Sequence, residues 1–267
     1  MTDSQCPVLL QRASAVATLT LNRPDALNAL DIAMIDGLVE AAQSVLADGE
    51  VRCVVVQGAG RHFMAGGDLR TFQSLLNESG KEARARFHAL ITRVHAAIEL
   101  FARMPQPLIA SVHGAVAGFG LSLMSACDLV VAADDAYFTS AYRNIGLTPD
   151  GGGTFWLPRT VGARKAAEIV LLGERFDAQE ALRIGLVNRV VPAAERTHAT
   201  TAWARAIAEG PATALSNAKR LLRGSAQRSL AEQLQAEADS FANCASSPDF
   251  AEGVAAFLAR RTPNFTK

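Results

Sequence analysis

Two glycine-rich turns, each placed after a predicted strand, are the first features of this sequence that could do chemistry. The first, at residues 58–68, holds Gly66 and Gly67, and the second, at residues 114–120, opens a predicted helix. Glycine lets backbone N–H groups approach a ligand closely, and the free N–H groups at a helix start point out of such a turn. Two N–H donors that converge on one carbonyl oxygen form an oxyanion hole. The simpler alternative is that these glycines only make tight turns.

Other chemistry-bearing motifs are incomplete. Neither turn has the third glycine of a dinucleotide-binding loop at the right offset, and no GxxxxGK[ST] phosphate loop occurs. Ser122 lies in half of a nucleophile elbow whose second glycine is missing. The histidines lack metal-ligand spacing, so no metal site is expected, and His88 and His95 are interpreted as neighbours on the face of a surface helix. The four cysteines form no CxxC pair, which favours free thiols.

The elements that must position these turns alternate between strand and helix. Apolar alternation and short apolar runs predict strands at residues 16–22, 51–57, 108–113 and 129–132. Apolar residues at helical spacing predict helices at residues 31–46, 82–104 and 121–126. Only helices are predicted after residue 192, at 194–209, 212–222, 229–243 and 250–260. We therefore expect an α/β protein with largely parallel strands and a helical C-terminal appendage.

The composition argues against several classes of protein. Lys plus Arg and Asp plus Glu both number 26 in 267 residues, and aromatic residues make up 6%, so no nucleic-acid partner is expected. The longest stretch without a charged residue, 104–127, contains prolines, glycines and a histidine. It fits a buried strand and helix better than a membrane span, and no membrane association is expected. The N-terminal residues lack a signal-peptide pattern, so a cytoplasmic location is expected.

Four stretches of the sequence resemble one known family. They are residues 21–30, 58–69, 107–128 and 145–158, of which residues 146–154 (GLTPDGGGT) are especially specific. Together they are similar to the crotonase superfamily, the enoyl-CoA hydratase/isomerase fold, along nearly the whole chain. The resemblance implies an α/β, crotonase-like ββα spiral core at residues 1–192 that carries the CoA-ester site. It also implies an α-helical C-terminal trimerisation region at residues 193–267, in a homotrimer or a hexamer.

The resemblance assigns expected roles to five residues near the two turns. The N–H groups of Gly67 and Phe119 match the oxyanion hole, where they would stabilise a thioester enolate. Ser122 and Tyr142 match the two glutamates of typical hydratases, and we expect them to line the acyl pocket instead. The nearest acid is Asp150. Relatives with aspartate at this position include ring-epoxide and 3-enoyl-CoA isomerases, and also dehalogenases in which it is the nucleophile.

The same resemblance implies a set of CoA-binding positions. Main-chain atoms of Ala65 and Gly67 would hold the adenine, with Asp68 and Leu69 nearby. The positions that border the pantetheine and phosphates fall on Asp25, Ala26 and Leu27, and Asp25 stands where relatives commonly carry a basic residue. Phe257 and Arg260, on the predicted last helix, match positions that contact the CoA of a neighbouring subunit. No separate cofactor is implied, because CoA arrives as part of the acyl-CoA thioester substrate.

The number of carboxylates distinguishes the reactions. Hydration needs an acid and a base that act on one water, whereas one carboxylate suffices for isomerisation, since it can take a proton from one carbon and return it two carbons away. Apolar neighbours of Asp150, such as Leu147 and Trp156, would raise its pKa toward a useful range. Alternatively, Asp150 only caps a helix that starts near residue 151. Asp68 and Asp128 are interpreted as structural carboxylates.

The sequence therefore favours an acyl-CoA isomerase in which Asp150 moves the proton. The alternatives are an enoyl-CoA hydratase, a hydrolase or dehalogenase that works through an aspartyl ester, and a non-catalytic CoA-ester binder. The polar segment at residues 70–86 is expected to border the acyl pocket, whose shape the sequence does not specify.

Overall fold

Two sheets form in the part of the chain that the computed structural model describes, residues 6–76 and 80–266. Their strands are Val8–Ala13 (β1), Val16–Leu21 (β2), Cys53–Gly58 (β3), Leu108–Val112 (β4), Ala115–Ala117 (β5), Leu129–Ala133 (β6), Tyr137–Thr139 (β7), Phe176–Asp177 (β8) and Arg189–Val191 (β9). The larger sheet has the order β1-β2-β3-β4-β6-β9, and the smaller has the order β5-β7-β8. In the larger sheet only β1 runs antiparallel to its neighbour, which confirms the expected parallel arrangement.

The helices follow the sequence prediction closely after residue 192. All the helices of the described chain are Ile32–Ala47 (α1), Leu69–Leu76 (α2), Gly80–Arg103 (α3), Phe119–Ser125 (α4), Gly153–Val161 (α5), Ala163–Leu172 (α6), Ala178–Arg183 (α7), Arg196–Ala208 (α8), Ala212–Gly224 (α9), Leu230–Ala245 (α10) and Pro248–Leu258 (α11). Of these, α5, α6 and α7 were not predicted as helices. Asp31 caps α1 by accepting from the Met34 amide at 2.8 Å. Among the described residues, no helix combines the length and apolar character needed to cross a membrane.

Burial on both faces explains why the central strands are continuous apolar runs. Residues of β3 and β4 are almost entirely buried. One face carries the main core together with α1 and α3. On the other face, small residues of α8 such as Ala204 pack against Cys53, Val55 and Ile109. A parallel strand covered by helices on both sides cannot alternate between apolar and polar residues.

Two local elements differ from the sequence prediction. The predicted loop at residues 114–120 contains β5, because residues 115–117 pair in parallel with β7, and the Ala117 amide also donates to the Met64 carbonyl at 2.9 Å. The segment expected to join the first turn to the long helix forms α2, which has no buried residue. This helix has only eight residues, a window too short for apolar periodicity to identify a helix from the sequence.

A buried ion cluster connects α9, one of the C-terminal helices, to the start of a strand of the larger sheet. The Asp128 carboxylate lies 2.8 Å from Lys219 Nζ and 2.7 Å from Arg223 Nη2, both on α9. Asp128 also accepts from the Leu108 amide at the start of β4, at 2.8 Å. The interpretation of Asp128 as structural is therefore confirmed.

Candidate active site

A cavity of about 620 Å³ opens where the two glycine-rich turns meet α3 and the segment that precedes α5. Its walls are largely apolar. The Phe72 ring of α2 and the Phe87 ring of α3 meet edge to face, with centroids 5.7 Å apart. Thr71 and Arg84 also line the cavity, so the segment at residues 70–86 borders it as expected, with residues 77–79 outside the described part. The cavity can hold an apolar acyl group.

The backbones of the two turns come into contact at one end of this cavity. A Cβ added to Gly118 would lie 3.3 Å from the Gly66 Cα, so only glycine allows this approach. Gly67 and Phe119 follow these two glycines and both line the cavity. Within the described residues, neither amide of this second pair donates to a backbone acceptor. Two unused N–H groups on one wall can receive a carbonyl oxygen that becomes negative.

The Phe119 side chain occupies the core rather than the cavity. It is 1% exposed, and its ring lies under Gly151. Gly151 has a φ of +58°, and a Cβ there would meet the Phe119 ring at 2.7 Å. The residue that supplies one free amide thus also supports the turn that carries Asp150.

Asp150 is one of the residues that line the cavity. The Tyr142 hydroxyl donates a hydrogen bond to Oδ1 of its carboxylate. Burial raises the pKa of Asp150, and the bond from Tyr142 and the nearby His95 oppose that rise. The expected direction of the pKa shift is therefore confirmed. The capping alternative is wrong, because the N-cap of α5 is Gly152 and no side chain caps that helix.

Ser122 and Tyr142 each donate a hydrogen bond to Asp150, one to its backbone carbonyl and the other to its carboxylate. The Ser122 hydroxyl donates to the Asp150 backbone carbonyl at 2.7 Å. Ser122 is 2% exposed and is not among the residues that line the cavity, so its expected place in the acyl pocket stays a prediction. Tyr142 does line the cavity. Burial and the Asp150 charge raise the pKa of Tyr142, which keeps the hydroxyl protonated and able to donate.

Two histidines of the cavity were missed as site residues by the sequence analysis. His88 and His95 on α3 both line the cavity. The Gly151 amide donates to His95 Nε2 at 3.3 Å. Their spacing of seven residues does place both on one helix face, and although both side chains are exposed, that face also borders the cavity. The signal was present and was interpreted as a surface feature.

Six of the predicted CoA positions cluster beside the first turn. The Ala65 amide donates to the Leu27 carbonyl at 3.1 Å, and Ala65 and Leu69 line the main cavity. Asp25 and Ala26 line an adjoining hollow of about 470 Å³. The sixth, Asp68, lies 3.1 Å from Arg23 Nη2, a pairing that lowers the pKa of Asp68 against the opposing effect of burial. The interpretation of Asp68 as structural is confirmed.

The other two predicted CoA positions lie apart from this cluster. Phe257 is 83% exposed on α11, and neither Phe257 nor Arg260 lines the cavity of its own chain. Arg260 was expected on the last helix, but α11 ends at Leu258, and Arg260 follows it with a φ of 55°.

The sequence and structure match known proteins over the whole described chain. The family model described as "Enoyl-CoA hydratase/isomerase" matches residues 11–267. The 1,2-epoxyphenylacetyl-CoA isomerase of Escherichia coli is 36% identical over 265 residues, 97% of this chain and 98% of that protein. The crotonyl-CoA hydratase of Syntrophomonas wolfei is 35% identical over 259 residues, 97% of either chain.

Solved structures agree with the sequence matches. The crystal structure of an enoyl-CoA hydratase from Polaromonas superposes with a TM-score of 0.90 at 35% identity, covering 96% of this chain and 98% of that one. The expected crotonase-like α/β fold is therefore confirmed. Its relatives carry the names of both hydratases and isomerases. The chain belongs to the enoyl-CoA hydratase/isomerase family, the crotonase superfamily, whose members act on acyl-CoA thioesters.

Proposed function

We propose that this protein is an acyl-CoA isomerase that moves a double bond or a ring-derived group through a thioester enolate. One observation carries the proposal: among the described residues, Asp150 is the cavity carboxylate that forms no ion pair and caps no helix. The only other acid on the described cavity wall is Asp31. Asp31 caps α1 and lies 3.1 Å from Arg23 Nη2, so it is occupied by structural bonds.

The proposed reaction needs one base and one anion site. Asp150 takes a proton from the α-carbon, and the charge moves onto the thioester oxygen. The Gly67 and Phe119 amides bind that oxygen while the enolate exists. Asp150, now protonated, returns the proton to the γ-carbon, so that the double bond moves next to the carbonyl. A buried carboxyl with a raised pKa suits both halves of this transfer.

Tyr142 has a supporting part in this proposal. Its hydroxyl donates to Asp150 Oδ1 and leaves Oδ2 for the substrate. A donor that favours the carboxylate keeps Asp150 partly ionised near neutral pH despite its burial. Tyr142 thus affects both the fraction of Asp150 that is ionised and the strength of the ionised carboxylate as a base.

Hydration is the second candidate, because relatives bear that name. It needs a second proton-handling group close to the added water. Ser122 and Tyr142, which occupy the glutamate positions of typical hydratases, already donate to Asp150. This arrangement favours isomerisation over hydration.

The surface supports two further parts of the proposal. We propose that the cluster from Asp25 to Leu69 receives the CoA portion, and that the chain assembles as a trimer or a dimer of trimers. Large apolar side chains are exposed in the C-terminal helices, at 74% for Phe241, 83% for Phe257 and 77% for Leu258. Such side chains favour burial against another subunit. Phe257 and Arg260 would then reach the CoA of a neighbour.

The test offers a 3-enoyl-CoA and a 2-enoyl-CoA separately to the protein and follows product mass and double-bond position. An isomerase converts the 3-enoyl ester without a change of mass. Gain of one water by the 2-enoyl ester would make the protein a hydratase instead. Chloride or free CoA released from a suitable ester would support the aspartyl-ester route, and no conversion of any ester would leave a CoA-ester binder.

A further inference from the structure

His95 is a titratable residue of the cavity to which the proposed reaction gives no role. It lies on α3, lines the same cavity as Asp150, and remains accessible to solvent. Its Nε2 accepts from the Gly151 amide at 3.3 Å, and Gly151 directly follows Asp150. This bond reaches from a long helix to the turn that holds the reacting carboxylate.

The direction of that hydrogen bond determines the protonation state of the ring. An imidazole nitrogen accepts only when it carries no proton, so the neutral ring must carry its proton on Nδ1. If Nε2 also gains a proton, two N–H groups face each other and the bond is lost. The protonated ring also places a positive charge near Asp150, where it weakens the carboxylate as a base.

We propose that His95 is a positioning residue whose neutral ring holds the Asp150–Gly151 turn in its working geometry and whose protonation releases it. This inference rests on the proposed function of Asp150. Protonation of the ring would therefore reduce turnover in two ways. It would free the Gly151 amide, and it would lower the basicity of Asp150.

The other titratable or charged groups around the ring do not form this hydrogen bond to the Asp150–Gly151 turn. The titratable or charged groups on the surrounding elements are Asp150 and Tyr142 before α5, Asp31 and Asp36 beside or on α1, and Arg84, His88 and Glu99 on α3. Asp31 is paired with Arg23, and Asp36 is paired with Arg93 on α3. Phe72 and Thr71 of α2 bring no charge to the cavity. His95 is the member of this set that contacts the Gly151 amide.

The Gly151 amide itself can report the bond. The chain has three Asp–Gly pairs, at residues 36–37, 48–49 and 150–151. Labelling with carbonyl-13C aspartate and 15N glycine therefore leaves three signals in a carbonyl–nitrogen correlation spectrum. We expect one of them to move when the solution is acidified enough to protonate the His95 ring.

Two variants identify the cause of that movement. His95→Gln keeps an oxygen that can accept from the amide but cannot gain the proton, so the movement caused by ring protonation should disappear. His88→Gln removes the other histidine of the same cavity wall and should leave the movement intact. Three stationary signals in the wild type, or the same movement in His95→Gln, would overturn the proposal.

Kinetics separate positioning from simple structural support. In the wild type, the acidic limb of log kcat should approach a slope of two, since Asp150 must be ionised and His95 neutral. His95→Leu should lower kcat by between about 10-fold and 100-fold with little change in KM, because the carboxylate is displaced. His95→Gln should recover most of that loss and reduce the slope to one. An unchanged kcat and slope in His95→Leu would contradict the proposal.

The two hypotheses fail in different ways. A wild type that isomerises no ester, or an Asp150→Asn variant with full activity, would sink the proposed function. Normal isomerisation that depends on Asp150 but is indifferent to His95 would sink only the positioning role. The spectroscopic titration needs no substrate, so it tests the hydrogen bond whatever the reaction is.

Discussion

The Tyr142 hydroxyl donates to the Asp150 carboxylate, and the Ser122 hydroxyl donates to the carbonyl of that same residue. The two side chains that the sequence resemblance matches to the glutamates of typical hydratases therefore both bond to a single aspartate. One proton-handling carboxylate held from two sides suits a reaction in which one group removes and returns a proton.

Removing the Tyr142 hydroxyl should shift the pH dependence of the reaction. The hydrogen bond favours the ionised carboxylate, so Tyr142→Phe should raise the pKa of Asp150 further. A hydrogen bond to a charged group corresponds to about one to two pH units, so the acidic limb of kcat should move upward by about that amount. The matched control is Tyr137→Phe, since the other tyrosine of the chain packs under Arg175 away from this cavity. Equal profiles for the two variants would contradict the role of Tyr142.

A methyl group at Gly151 should damage the site more than the same change at Gly146. Both glycines have a positive φ, of +58° and +71°, so alanine costs each backbone about 1–2 kcal/mol. Only at Gly151 would the Cβ also meet the Phe119 ring, at 2.7 Å, which adds about 1–3 kcal/mol. Urea unfolding and kcat should both show the difference. Equal stability of Gly151→Ala and Gly146→Ala would mean that the ring does not support the turn.

The ion cluster under α9 should be sensitive to loss of its one acid. Asp128→Asn leaves Lys219 and Arg223 without their shared carboxylate, and burial already lowers the pKa of Lys219. Breaking a buried ion pair costs about 3–5 kcal/mol. The exposed pair of Arg12 and Asp48 provides the comparison, and Asp48→Asn should unfold within error of the wild type. A wild-type urea midpoint for Asp128→Asn would show that the cluster does not hold the C-terminal helices.

The exposed apolar side chains of α11 should determine the oligomeric state. Phe257→Asp places a charge where burial against a second subunit is proposed, so light scattering should report a smaller particle than the wild type. Asp substitution at Leu171, which is 68% exposed on α6, is the control for a lone surface apolar residue. A monomeric wild type would contradict the proposed assembly directly.

The central strands and most helices could be predicted because they are set by local patterns. Continuous apolar runs give β3 and β4, whose two faces are both covered, and Asp31 stands before α1 as its cap. The strand β5 and the helix α2 could not be predicted. The first pairs with β7 and bonds to Met64, neither of which is a local neighbour in the sequence, and the second has only eight residues.

The site was predictable where a backbone motif defines it and not where tertiary packing does. The glycine turns indicated where free amides could face a ligand, the family resemblance assigned them to Gly67 and Phe119, and the apolar neighbours of Asp150 indicated the direction of its pKa shift. The burial of Ser122 and the orientation of His95 depend on how α3 lies against the turn before α5, which no local pattern records. The spacing of polar residues predicts which of them share one face of a helix, but it does not predict which other element that face contacts.

The central claim is that Asp150 carries a proton from the α-carbon to the γ-carbon. Because burial raises its pKa, replacing this carboxyl with a neutral amide removes an unfavourable buried charge above the ordinary pKa of aspartate. Asp150→Asn should therefore melt no lower than the wild type near neutral pH, and it should bind the ester as before.

The most direct measurement follows an α-deuterated 3-enoyl-CoA through turnover in ordinary water, with the wild type and Asp150→Asn side by side. The account predicts a 2-enoyl product that retains part of the deuterium at its γ-carbon, and a loss of rate of at least about a hundredfold in the variant. Conversion by Asp150→Asn at the wild-type rate, or a product that never carries deuterium at the γ-carbon, would contradict it.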